Sequence, residues 1–359
     1  MARQGYPRGD RIPRRHTRRD FLRLSGLAAV GGSAALVAAC GGHERRPRAA
    51  GVGGDLTILS SLLETARTAI AGYEAGLDVL AGRGREIGRS FLDHERQHAL
   101  GLEQAIRSLG GEPPRARRPA DYASGFRRPT RPTEALELAL RLERMSVMAY
   151  LRAIPRLSDP RLRQTAAVIN TTAAEHLAVL RGELGRVEAP EALVGGAITA
   201  RAVRTGRRAA RPETEARVLE SAVAREDTAV VVYDTTAKSG LLEGRAARTA
   251  RLFRDQAEEH ADKLATELRA LGGEAPASPQ PNDVRGLSEL RRAADVASFA
   301  IGLESEAVRA YRHAVGRLED PRLLVTCAQI MANRGQHLAV LRPLLGKPPV
   351  PDAFELGRP

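Results

Sequence analysis

The sequence predicts an all-α chain made of two tandem four-helix bundles, each with a long crossover between its second and third helices. Three observations carry this. Aromatics are 3% of the chain, tryptophan is absent, and Ala, Leu, Arg and Glu dominate; such a composition favours helices packed on helices over β-branched strands. Residues 142–162, LERMSVMAYLRAIPRLSDPRL, return at 303–323 as LESEAVRAYRHAVGRLEDPRL. Matches along the rest of the chain keep offsets between 160 and 162, so a whole domain is duplicated, not a short solenoid unit. With 359 residues, each copy is long enough to bury a core. Because each contains four helices and its own apolar stripes, each is expected to fold alone.

The N-terminus reads as an address. Thr17-Arg18-Arg19-Asp20-Phe21-Leu22-Arg23 resembles the twin-arginine export signal. The run from Leu24 to Ala39 is too short and glycine-rich for a stable membrane span. It ends Leu36-Val37-Ala38-Ala39-Cys40-Gly41, which looks like a bacterial lipobox with Cys40 as the lipidated first residue of the mature chain. Residues 1–39 are thus expected to be a signal peptide and 40–54 a tether. The body is expected on the outer face of the cytoplasmic membrane, with the membrane as its partner through Cys40; the sequence names no protein partner. Cys327 is then the single remaining cysteine, a buried thiol with no disulfide mate.

The net charge of +13 is not a nucleic-acid signal. Eight arginines against Asp10 and Asp20 lie within residues 1–39, and much of the remaining excess lies in two loops, Arg115 to Arg131 and Arg201 to Arg211. Aromatic residues for base stacking are not interleaved with these arginines.

The first bundle is expected over 55–195. Leu59, Leu62, Leu63, Ala66, Ile70, Tyr73, Leu77 and Leu80 form one helical stripe. A second helix runs from about Glu86 to Leu109 and stops at Gly110-Gly111. A Pro/Arg-rich connection, Glu112 to Pro132, is far longer than an ordinary helix–helix loop. The third helix carries Glu143; the fourth runs from Pro160 to about Leu184 and is followed by Pro190-Glu191-Ala192-Leu193. After a basic linker at 196–212, the second bundle, 213–357, repeats the plan. HLAVLR recurs at His176 and His337, Leu-Gly-Gly-Glu at Leu109 and Leu271, and the tail at Pro351-Asp352-Ala353-Phe354.

Some inward positions are polar. Glu143 shares a face with Ala139, Ser146, Tyr150 and Leu157, and Glu304 one with Ala300, Ala307, Tyr311 and Val315. A carboxylate on such a face is costly unless paired, protonated or bound to a metal. With these residues the chain resembles the ferritin-like superfamily, in particular its exported bacterial members, over nearly all of 55–195 and 213–357. The resemblance implies a metal site with one Glu from each of helices one and three and Glu-x-x-His from helices two and four. In the first copy the matching residues are Glu95, His98, Glu143 and His176, while Ala66 and Ala173 stand where two more carboxylates belong. That set suits one Fe, Mn or Zn ion. In the second copy Glu226, His260, Glu304 and His337 remain, but Ala257 and Arg334 replace the helix-two and helix-four glutamates. Arg334 is expected to pair with Glu226 or Glu304 and to repel a divalent cation, leaving a vestigial polar cluster without metal.

His94-Glu95-Arg96-Gln97-His98 also matches the zincin signature. The third metzincin ligand would fall at Gln104, and copy two has Gln256 where His94 stands, so a protease is disfavoured. Taken together, these readings imply a cell-envelope binding or scaffold lipoprotein with a degenerate metal site in its first bundle. The competing reading is a mononuclear or partial di-iron oxidoreductase acting on oxygen or peroxide.

Overall fold

The computed structural model describes residues 49–196 and 212–358. The export motif at Arg18 and Arg19, the lipobox Cys40 and most of the linker lie outside the described residues. Among the described residues there is no strand. The first half contains α1 (Ala49–Leu77), α2 (Gly82–Ser108), a single turn α3 (Pro119–Ala123), α4 (Pro132–Ala153) and α5 (Pro160–Glu183). The second contains α6 (Pro212–Lys238), α7 (Gly244–Ala270), α8 (Ala293–Arg317) and α9 (Pro321–Leu341). Helix α1 begins at Ala49, ahead of the Asp55 start read from the sequence.

Local chemistry sets the helix ends, and it repeats. Gly110 turns left-handed at φ +80°, and Gly111 N–H reaches back to the Ile106 carbonyl at 3.0 Å. Gly272 and Gly273 do the same to Leu268. Both are Schellman stops, which need a residue without Cβ at the left-handed position. At the starts of α5 and α9, Asp159 and Asp320 accept from the N–H groups of Arg161 and Arg322, with proline at the first helical position. Asp55 on α1 accepts from the Ser158 and Asp159 N–H groups, and Glu215 on α6 from those of Glu319 and Asp320. One buried carboxylate thus fastens helix one to the turn before helix four in each half.

Helices α5 and α9 lie at the centre, side by side and running in the same direction. Arg163 on α5 pairs with Glu319 just ahead of α9, Asn170 faces the Ala328 carbonyl, and Glu175 pairs with Arg342 just beyond α9. Both helices are buried on every side, from Thr165 to Leu180 and from Leu323 to Ala339. A helix buried all round is packed between neighbours on all faces. At Gly335 an added Cβ would lie 2.5 Å from Thr171, so glycine permits this close approach. Residues of both halves form one continuous core.

The tails cross over. Residues 189–196, at the end of the first half, pack on the second: Gln256 donates to the Ala189 carbonyl, Gln329 to Val194 and Asn333 to Glu191. Residues 350–358 return to the first half, where Glu355 N–H donates to Thr172 Oγ and the Ala353 carbonyl meets His98. Each half is thus covered by the other's tail and by the other's fourth helix, an arrangement that works against either half folding alone.

Candidate metal centre

In the first half, α2 supplies Glu95 and His98, α4 supplies Glu143 and α5 supplies His176. Glu95 is 2% exposed and the other three are fully buried. Glu95, Glu143 and His176 converge, with one ligand atom from each lying within 4.8 Å of the others. Glu143 Oε1 accepts from the Tyr73 hydroxyl at 2.5 Å and sits 3.0 Å from His176 Nδ1. The other nitrogen, His176 Nε2, is 3.0 Å from His94 Nδ1. With Nδ1–H donating to Glu143, Nε2 keeps its lone pair, shared here with the His94 N–H, and a metal would take it by displacing that single contact. Phe91 stacks on the His176 ring at 3.8 Å and fixes its plane.

His98 does not join the group. Its Nε2 lies 2.5 Å from the Ala353 carbonyl, which can only accept, so that nitrogen carries a proton and has no lone pair for a metal. Its Nδ1 is 3.0 Å from Glu95 Oε1. His98 thus orients the Glu95 carboxylate from behind, the usual place of a supporting residue at a metal site. The two histidines of the His94–His98 signature point to different partners, so they do not form a zincin site.

Positive charge reaches the pocket from His98, behind Glu95, and no guanidinium stands beside Glu143 as Arg334 stands beside Glu304. Burial pushes the Glu143 carboxyl up to about 8 and the His176 imidazole down to about 3. His94 is also held well below the usual histidine range by burial and by His176. For His98, burial works against the charged form, but Glu95 outweighs it and raises the imidazole. Glu143 Oε2, Ser146 Oγ and the Tyr150 hydroxyl are buried without a hydrogen-bond partner. Burial raises the Tyr150 hydroxyl, and the Glu95 and Glu143 carboxylates raise it further, which places it beside both. Orphaned buried acceptors next to two carboxylates and an imidazole fit a bound cation.

The second half resolves the same problem from within. Arg334 donates to Glu226 and, at 3.2 Å, to Glu304. His260 Nδ1 lies 2.9 Å from Glu226, and His337 Nδ1 lies 2.9 Å from Glu304. The Tyr311 hydroxyl donates to Glu226 at 2.7 Å and that of Tyr233 to Glu304 at 2.5 Å. Gln256, standing where the first half has His94, closes the far side on His337 Nε2 at 2.7 Å. His260 Nε2 meets the Ala192 carbonyl at 2.7 Å, as His98 meets Ala353. Burial would raise Glu226, but Arg334 and His260 outweigh it and hold the carboxyl at about 2. Glu304 is lowered in the same balance, with burial opposed by Arg334 and His337.

Both halves therefore hold two buried carboxylates, built differently. One stands on α2 at Glu95 and, in the other half, on α6 at Glu226. The sequence pattern revealed Glu143, Glu304 and the histidines. It did not reveal the tail carbonyls or the cluster of Glu175, Arg342 and Glu355 between the halves, in which Arg342 holds Glu175 at 2.7 Å and Glu355 at 2.6 Å.

A family model for the ferritin-like domain matches the chain twice, at residues 54–186 and 214–347. Neither a curated protein nor a solved structure matches it. With most of both halves covered, and with four long helices and a buried carboxylate–histidine cluster in each, the chain belongs to the ferritin-like domain family and carries two tandem copies of that domain.

Proposed function

We propose that the protein is a cell-envelope metal-binding protein whose first domain takes one divalent transition-metal ion on Glu95, Glu143 and His176. One observation carries the reading: Glu143 Oε2 is buried and unpartnered beside Glu95 and His176, whereas both oxygens of Glu304 in the sibling domain accept from Arg334. Two carboxylates and one imidazole suit Fe(II), Mn(II) or Zn(II), which would supply the positive charge that a guanidinium supplies next door. Ala66 and Ala173 stand where a second ion would need carboxylates, which favours a single-ion binding or scaffold role over di-iron redox chemistry. The envelope location rests on the Arg18-Arg19 and Cys40 motifs. Calorimetric titration of the full chain with Fe(II), Mn(II) and Zn(II) tests the reading. We expect one ion per chain, lost in Glu143→Gln; no binding, or binding indifferent to Glu143→Gln, would overturn it.

A further inference from the structure

The second domain is hollow at one end. A cavity of about 680 Å³ lies between α7, α8 and the ends of α5 and α9. Its walls include Leu242 just ahead of α7, Ala246 and Ala250 of α7, Ala297 and Ala300 of α8, and Ala339 of α9. Tyr233 and Phe253 form its floor, and Phe253 stacks on His337 at 3.6 Å, which shuts the cavity off from the Arg334 cluster. No charged side chain therefore reaches the interior from below.

The duplication explains the hollow. At the equivalent end of the first domain, Leu136 stands at the position of Ala297 and Ile87 at that of Thr249. Leu77 and Leu80 also fill that end, lying 3.1 and 3.2 Å from where a Cβ on Gly88 would sit; the position of Leu77 is Ala237 in the second domain. The difference thus rests on three positions, where Leu136, Ile87 and Leu77 of the first domain are Ala297, Thr249 and Ala237 in the second. An empty apolar cavity of this size is destabilising, since its walls lose their dispersion contacts. It falls in the range of small-molecule sites, which are apolar with few polar groups.

The mouth restricts the occupant. Arg83 is paired with Glu183 at 2.8 Å and Arg245 with Glu188, and Glu243 adds a third carboxylate. Both guanidiniums are already paired and carboxylates outnumber them, so the mouth disfavours an anionic head group. From Arg245 to Phe253 the wall of α7 is roughly 12 Å long at the rise of an α-helix, and Leu242 extends it at the mouth.

We infer that this cavity is a binding site for an uncharged molecule bearing a hydrocarbon chain of about that length, held between the two domains and independent of the metal centre.

The test uses the full chain and the neutral fluorescent probe N-phenyl-1-naphthylamine. We expect saturable binding of one probe per chain, with displacement by 1-dodecanol and much weaker displacement by dodecanoate. The double variant Ala297→Leu/Thr249→Ile, which installs the first domain's own residues, should weaken probe binding tenfold or more with unchanged helix content. If that variant loses helix content, Ala300→Val is the smaller filling and should show the same loss. Absence of saturable binding, dodecanoate matching dodecanol, or undiminished binding by a folded filled variant would each overturn the inference.

Discussion

Arg334 and its counterpart Ala173 separate the two domains at the scale of single residues. A guanidinium between Glu226 and Glu304 leaves that network satisfied, and removing it strands two buried carboxylates. Arg334→Ala should therefore cost about 3–5 kcal/mol in chemical denaturation, the penalty for breaking a buried ion pair from one side. The same pairing predicts a pH effect. Glu226 titrates at about 2 when folded against 4.5 as its ordinary value, so the folded state binds fewer protons between them. Its contribution is complete above pH 4.5 and is lost as pH falls toward 2. Denaturation midpoints of the wild type should drop more steeply across that window than those of Glu226→Gln; parallel curves would contradict the pairing. These residues were legible in the sequence, because carboxylates on inward helical faces demand partners. The role of His98 was not, since its acceptor Ala353 lies 255 residues away.

At the scale of elements, the exchanged tails decide what each site sees. Residues 350–358 satisfy His98, and the Phe354 ring meets its imidazole edge-on at 5.4 Å. The tail also walls a groove of about 890 Å³ that reaches His94. Deleting residues 348–359 should speed amide exchange in α2 around His94 to His98. Helix α7, covered by residues 189–196, should exchange as before. Equal acceleration in both helices would mean that the tail acts on global stability and does not cap one site. The sequence reading placed the end of α2 and both ends of α5 within a residue, and began α2 four residues late, at about Glu86 instead of Gly82. It misjudged α5 and α9, whose one-sided stripes turn out to be only part of their buried surface. Small residues such as Thr171, Ala174 and Gly335 pack against a second helix, a partner that no periodicity within one copy can announce.

The whole molecule is a pseudo-twofold pair with a shared centre, an arrangement otherwise made by two identical subunits. Separating it at the linker would expose the faces of α5 and α9 and leave Arg163, Glu175 and Arg342 without their partners across the halves. Fragments 49–196 and 212–358 should each melt far below the full chain and regain cooperative melting when mixed; independent stable folding of either would contradict the shared core. The duplication was readable from the recurring strings, and with it the fold of each half. How the halves embrace was not, because it depends on side chains that differ between the copies.

If the first domain takes a cation where the second carries Arg334, the ion should be visible directly. Anomalous scattering from crystals of the full chain grown with Mn(II) or Zn(II) is the test. We expect one peak per chain, among Glu95, Glu143 and His176, and none beside Arg334. A peak between Glu226 and Glu304, or an empty first site at saturating metal, would contradict the proposal.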